Sequence, residues 1–286
     1  MLKVLITGSG QLAWELVQTA PPGIEPVMVS LPEMDITQKD SCEAALLKHK
    51  PDWVINAAAY TAVDRAESER EAAFTVNEQG VLNLSQACHQ SGARLLHLST
   101  DFVFNGKSNR PYTPEDKPDP LSVYGASKLA GEWVLENYHH DAVIVRTAWL
   151  YSRNGNNFVK TMLRLMAEKP ELAVVDDQLG TPTWGKSLAL TLWAGVLKGV
   201  PGGVYHWSDA GVASWYDFAV AIQDIGLLLG FLDTAIPVYP IGSEEFPQAA
   251  PRPRYSVLDK SLTEAVFVVE PQHWRRQLRQ MLMQLP

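Results

Sequence analysis

Leu2-Lys3-Val4-Leu5-Ile6-Thr7-Gly8-Ser9-Gly10-Gln11-Leu12-Ala13 is the stretch that decides the fold. An apolar, strand-like run ends at Ile6, a glycine-rich turn follows at once, and an amphipathic segment from Gln11 to Thr19 is long enough for a helix. Strand, turn and helix in that order are the context in which G-x-G-x-x-G/A holds a dinucleotide. Gly8 permits the tight turn, Gly10 lets the backbone approach a pyrophosphate, and small Ala13 lets the helix pack closely. The helix start then offers unpaired N–H groups and a partial positive charge to the anion. The pattern alone fits any glycine-rich turn; its place at the head of a βα series favours the dinucleotide.

That series runs outward from the turn. Apolar runs recur at Val4 to Ile6, Val27 to Val29, Trp53 to Ile55, Leu95 to Leu98 and Val143 to Val145. Between them lie helix-like segments at Gln11 to Thr19, Ser41 to His49, Arg70 to Ser91 and Leu121 to Tyr138. Continuous apolar strands alternating with crossover helices are the mark of a parallel sheet covered on both faces. The expected fold is α/β, a Rossmann-like doubly wound parallel sheet. After Trp149 the rhythm breaks, so we divide the chain into a dinucleotide-binding domain over 1–150 and a smaller substrate-binding part over 151–286, some of whose elements return to the main sheet. The apolar runs Leu188 to Leu197 and Ile225 to Leu232 fall short of the roughly 20 residues that span a bilayer and read as buried helix.

Composition narrows the function. With 286 residues, 46% hydrophobic and 20% charged, the chain has ample core and is no disordered segment. A net charge of −8 gives no overall reason to bind nucleic acid or an anionic membrane, so any phosphate must be gripped locally. The two cysteines, Cys42 and Cys88, lie far apart without metal-ligand spacing, which points to a reducing compartment. No export signal is visible at the N-terminus, and the cytoplasm is the expected location.

Specific residues carry the chemistry. Ser30 ends the second strand, where NAD-binding relatives of this turn place an acidic residue against the ribose 2′-hydroxyl; without a carboxylate a 2′-phosphate is not repelled, which favours NADPH while leaving NADH open. Asp35 and Ile36 are the next candidates on the adenine side, or else a turn before a helix. Tyr124 and Lys128 stand at i and i+4, neighbours on one helix face, and an adjacent cation favours the phenolate. With nine tyrosines in the chain, that spacing arises easily by chance. Thr100 and Asp101 supply context, because they end the fourth strand, where open α/β sheets bind ligands. A Thr100 hydroxyl there can hold a carbonyl oxygen beside Tyr124.

Taken together, these residues resemble the extended short-chain dehydrogenase/reductases, and among them the reductases of dTDP-linked 4-keto sugars. The similarity spans almost the whole chain. It includes Gly10-Gln11-Leu12, Asn56 to Asp64, Ser99 to Phe104, Tyr124-Gly125 with Ser127-Lys128 and Gly131-Glu132, Arg146 to Trp149, Gly155 to Phe158, Gly180 to Thr183, Trp215-Tyr216-Asp217 and Arg252-Pro253. The resemblance implies NAD(P)H-dependent reduction of dTDP-4-dehydro-L-rhamnose to dTDP-L-rhamnose, with Tyr124 as proton donor, Lys128 as its partner and ribose ligand, and Thr100 as third catalytic group. It implies cofactor contacts at Gln11, Leu12, Asp35, Ile36, Ala59, Tyr60 and Thr61, to which the turn residues Gly8 and Gly10, the strand end at Ser30, where the best-known relatives carry an aspartate, and Ala57 and Ala58 are added as expected contacts. It implies substrate contacts at Thr100, Asp101, Trp149, Asn157 and Arg252, although Trp149 reads equally as core. Some relatives bind Mg²⁺ at a dimer interface through glutamates; here Glu15 remains but Lys186 takes the second position, and an ammonium cannot ligate a metal. No metal is therefore expected, and monomer and homodimer both stay open. Another nucleotide-sugar reductase, an epimerase, or a non-catalytic regulatory subunit on the same fold are the rival readings. Phe102, where a dehydratase commonly carries a glutamate, disfavours elimination.

Overall fold

Six parallel strands make the central sheet of the computed structural model, which describes residues 1–286. They are β1 (Leu2–Thr7), β2 (Ile24–Val29), β3 (Trp53–Asn56), β4 (Arg94–Thr100), β5 (Val143–Thr147) and β6 (Gly203–His206), ordered β6-β5-β4-β3-β1-β2. Eight principal helices follow the chain: α1 (Gln11–Thr19), α2 (Lys39–His49), α3 (Gly80–Ser91), α4 (Val123–Tyr138), α5 (Phe158–Glu168), α6 (Gly185–Lys198), α7 (Trp215–Leu228) and α8 (Trp274–Leu282).

Strand alternation explains why the runs are apolar throughout. Successive side chains point to opposite faces, so Val4 and Ile6 enter one core with Leu16, Leu188 and Leu192, while Leu5 enters another with Cys42, Leu46 and Leu84. Helices α1 and α6 cover the first face; α2, α3 and α4 cover the second. A third core, around Tyr151, Met162, Phe218, Ile222 and Leu278, lies among α5, α7 and α8. The chain beyond residue 150 thus builds that separate core and also gives the sheet its edge strand, β6, and a covering helix, α6. The sheet order turns at β1, whose neighbours are β2 and β3, and a crevice opens there beyond the strands' carboxyl ends.

The structure departs from the sequence reading in three elements. The stretch from Arg70 to Ser91 is not one regular helix: a π-turn at Thr75–Gln79 precedes α3. The turn presents Asn77 to the backbone of Tyr60 and to Ser127, an inward-facing role of the kind such bulges often serve. Helix α4 starts at Val123, because Ser122 caps it by accepting from the Gly125 amide at 3.2 Å. Helix α7 stops at Leu228, and Gly230, with φ of +79°, reverses the chain before Leu232.

Candidate active site

A cleft of about 1000 Å³ opens at the carboxyl ends of the strands. Its first wall is the glycine turn. Gly8 has φ of +84°, and a side chain there would bring Cβ within 3.2 Å of the Ala58 backbone, so the position demands glycine twice over. Gly10 faces open space and caps α1 without a side-chain hydrogen bond, which leaves the first helical amides free for an anion. Thr7 ties the turn to β3: its hydroxyl donates to Asn56 Oδ1 at 2.6 Å and accepts from the Ala58 amide at 3.1 Å. The segment Ala57 to Thr61 lines the same wall, and Asn77 clasps both backbone groups of Tyr60. Ser30, Leu31, Asp35, Ile36 and Thr37 form the outer end. Asp35 accepts there from both the amide and the hydroxyl of Thr37, so the turn reading of this pair holds alongside its place in the cleft. Free amides, a glycine cradle and a long apolar slot fit a dinucleotide.

The opposite wall carries Tyr124 and Lys128 from α4, with Thr100 and Asp101 at the end of β4. Close approach of α4 to this strand end is possible because position 125 is glycine; a Cβ there would meet the Phe102 carbonyl oxygen. Phe102 itself packs edge-on against the Tyr124 ring at 5.6 Å. Spacing alone predicts that Lys128 favours the phenolate, and here the structure corrects the sequence. Lys128 turns its ammonium inward to the Leu98 carbonyl at 2.7 Å. Burial pushes the Tyr124 phenol up to about 12, against a smaller opposing pull from Thr100. Tyr124 is thus a protonated phenol, the form a proton donor needs. Burial likewise lowers Lys128 to about 8, with Glu132 opposing.

Polar atoms without partners mark the sugar side. Asp101 Oδ2 and Thr147 Oγ1 are buried at the cleft with no hydrogen-bond partner, an arrangement suited to a hydroxylated ligand. Trp149 lines the cleft with φ of +45°, unusual for a bulky residue, and stacks on Trp215 at 3.6 Å between ring centres. Arg252 reaches the cleft from the far end of the chain. Asn157 does not reach it. Its amide donates to Gln11 Oε1 at 2.9 Å and to the Ser152 carbonyl at 2.6 Å, and its oxygen caps α5, so it braces Gln11 from behind. All other expected site residues, Leu12 included, line the cleft. Phe102 and Trp215 line it too and were missed; only their places beside Asp101 and within the Trp215-Tyr216-Asp217 motif hinted at them.

Glu15 lies outside this cleft. It is buried, accepts from the Ser152 hydroxyl at 2.6 Å, and has its pKa raised by burial against the pull of Ser152, Lys186 and Arg153. No group of three or more His, Cys, Asp or Glu side chains capable of holding a metal occurs in the structure. No helix is long and apolar enough to cross a membrane.

Comparison with known proteins agrees with this geometry. The family described as RmlD substrate binding domain matches residues 2–286. The spore coat polysaccharide biosynthesis protein SpsK of Bacillus subtilis is 40% identical over 99% of this chain and 97% of its own. A dTDP-4-dehydrorhamnose reductase of Streptomyces griseus is 43% identical over 96% of this chain and 91% of its own. The crystal structure of dTDP-4-dehydrorhamnose reductase from Bacillus anthracis in complex with NADP superposes with a TM-score of 0.91, at 36% identity over 99% of both chains. The chain therefore belongs to the dTDP-4-dehydrorhamnose reductase family, NAD(P)-dependent oxidoreductases on a Rossmann-like α/β fold.

Proposed function

We propose that the protein reduces the 4-keto group of dTDP-4-dehydro-L-rhamnose to give dTDP-L-rhamnose, in the cytoplasm and with NADPH as preferred reductant. The observation that carries this reading is the convergence of Tyr124, Thr100 and Lys128 on one cleft with the Gly8 to Leu12 turn. When bound, the nicotinamide would supply a hydride to C4 of the sugar.

The chain's own residues would do the rest. Gln11, Leu12 and the free amides of α1 hold the pyrophosphate, and Ser30 accommodates a 2′-phosphate. The Tyr124 hydroxyl gives its proton to O4 as negative charge develops there, and the Thr100 hydroxyl hydrogen-bonds the same oxygen. Lys128, at the cleft one helical turn after Tyr124, would bind the ribose through an N–H not given to Leu98. Asp101 Oδ2 accepts from a sugar hydroxyl, Trp149 covers the ring and Arg252 faces the diphosphate. Residues 1–150 would hold the dinucleotide and carry Thr100, Asp101, Tyr124 and Trp149 on the sugar side, to which 151–286 add Trp215 and Arg252.

The test is oxidation of NADPH and of NADH, followed optically, with dTDP-4-dehydro-L-rhamnose as acceptor. Turnover with formation of dTDP-L-rhamnose supports the reading. A chain that binds the cofactor without turnover is a binding module instead, and one that inverts a sugar centre without net oxidation of cofactor is an epimerase.

A further inference from the structure

Beneath the cleft, a line of buried polar groups crosses three strands. Lys128, 3% exposed, points from α4 to β4, where its Nζ lies 3.5 Å from His97 Nε2 as well as bonding Leu98. His97 is fully buried, and its Nδ1 lies 3.0 Å from the carboxamide nitrogen of Asn56 on β3. Asn56 Oδ1 accepts from Thr7 on β1, and Thr7 accepts from the Ala58 amide. The line thus joins Lys128 to the backbone that forms the dinucleotide wall.

Donor counting gives this line a direction. As placed, Ala58 donates to Thr7, Thr7 to Asn56, and Asn56 Nδ2 to His97 Nδ1. A neutral imidazole that accepts at Nδ1 carries its proton on Nε2. That proton faces Lys128, and only an uncharged amine accepts it. An ammonium has no lone pair, so a charged Lys128 requires the opposite tautomer: Nε2 accepts, and Nδ1–H donates. A half-turn of the Asn56 amide, which exchanges two groups of nearly equal size, then offers Oδ1 to Nδ1 and Nδ2 to Thr7. The second arrangement has Thr7 accept from both Asn56 and the Ala58 amide, and passing between the two removes one proton from the pair: Lys128 gives a proton to Nε2 as Nδ1 releases its own.

We propose that His97 is a positioning residue for Lys128, holding its Nζ in both charge states by exchanging tautomers in step with a half-turn of Asn56. This rests on the reading above in which Lys128 serves the reaction. Burial, and then Lys128, hold His97 well below the ordinary imidazole range, so it stays neutral and changes only the site of its proton. Lys128, lowered to about 8, loses its charge as the pH rises through about 8. The other groups around it are Tyr124 one turn earlier on α4 and Glu132 one turn later, the latter bound by Ser99 of β4 and Arg146 of β5. None of these supplies Lys128 Nζ with a second acceptor at hydrogen-bond distance.

The first experiment is ¹⁵N NMR of the His97 ring in the full-length protein between pH 6 and 10. The expected result is a change from Nδ1–H to Nε2–H with a midpoint that follows Lys128 and vanishes in Lys128→Met. A single tautomer across the range overturns the proposal, whatever the enzyme reduces. The second is the pH profile of kcat in His97→Leu and His97→Gln. A freed Lys128 should lower kcat by about 10- to 10²-fold in the leucine variant and displace the alkaline limb. Glutamine, which can present either an oxygen or an N–H, should restore much of both. A leucine variant with the parent's kcat and profile overturns the proposal; if that variant fails to fold, the NMR result decides. A parent without reductase activity but with the tautomer change removes the proposed function and leaves the His97 assignment standing.

Discussion

Arg252 and Asp64, separated by 188 residues, join at the cleft through both carboxylate oxygens, at 2.7 and 3.1 Å. The Ala250 amide adds a bond to the same carboxylate, and the Arg252 hydrogen bond leads the causes that hold the Asp64 carboxyl below its ordinary range. The Arg252 guanidinium grips Asp64 with one edge and gives a third N–H to the Ala250 carbonyl at 2.9 Å, which leaves Nε–H and one N–H of Nη2 for a diphosphate; an ammonium cannot present that fork. Arg252→Lys is therefore expected to raise KM for the nucleotide sugar by roughly 10- to 10²-fold, with kcat and the KM for NADPH little changed. Steady-state kinetics in both substrates check this. An equal rise for NADPH would make Arg252 a brace between the two parts of the chain.

Tyr124→Phe is expected to keep NADPH affinity and lower kcat by about 10²–10⁴, the usual contribution of a positioned general acid. The phenol lies at the cleft in its protonated form, so removing only its oxygen removes the proton. Fluorescence titration with NADPH and single-turnover kinetics separate the two effects. Unchanged turnover would take Tyr124 out of the chemistry.

The residues that were legible in the sequence share one property: their roles depend on neighbours a few positions away. The turn from Gly8 to Ala13, the pair Tyr124 and Lys128, and the strand end at Thr100 are local, and the apolar runs disclose the sheet because both its faces are covered. Contacts made across the fold were not legible. Nothing near Asp64 indicates that Arg252 will hold it, and nothing near Asn157 indicates that it turns to Gln11 and away from the cleft. The role of Tyr124 as proton donor is legible from its motif, but the direction in which its surroundings shift it is not: spacing places an ammonium nearby and reveals neither the burial of the phenol nor that Leu98 takes a hydrogen bond from that ammonium. Trp215 could be named as part of a motif, yet only the fold lays it on Trp149.

That stack sets up a third prediction. A Cβ on Gly180 would lie 2.6 Å from Cε2 of Trp149, whose backbone already sits at positive φ. Gly180→Ala should push the indole off Trp215 and into the cleft. The expected outcome is a higher KM for the nucleotide sugar, an unchanged KM for NADPH, and altered tryptophan fluorescence in the free protein. An unchanged sugar KM with altered fluorescence would show that Trp149 is core facing the cleft and not a substrate contact.

Ser30 tests the cofactor end. It lines the cleft just beyond β2, and the hydrogen bond of its hydroxyl runs to the Leu31 carbonyl at 3.5 Å, which leaves the position free of charge. Ser30→Asp places a carboxylate where a 2′-phosphate would lie. Like-charge repulsion should lower the ratio of kcat/KM for NADPH over NADH by about tenfold or more. A ratio equal to the parent's would place the adenosine ribose elsewhere.

Asp101 links the site to stability. Burial raises its carboxyl to about 6, with smaller opposing pulls led by Ser256 and Thr100. The folded value thus lies above the unfolded value of about 3.9. The native state binds the proton more tightly, so this group costs nothing at the acid end, costs more as pH rises from about 4 to about 6, and costs a constant amount beyond. A difference of that size is worth roughly 3 kcal/mol at full extent. Asparagine keeps the shape and an acceptor for the Thr100 hydroxyl, which lies 3.1 Å from Oδ1, but carries no charge at any pH. Asp101→Asn is therefore expected to match the parent near pH 4 and exceed its unfolding free energy by about 1–3 kcal/mol at pH 8. Activity should fall in the same variant, because the unpartnered Oδ2 at the cleft becomes a donor where the sugar hydroxyl needs an acceptor. Urea unfolding at the two pH values, with kinetics at pH 8, checks both halves. A stability difference that does not change with pH would show that Asp101 is ionised in the native protein as readily as in the unfolded chain.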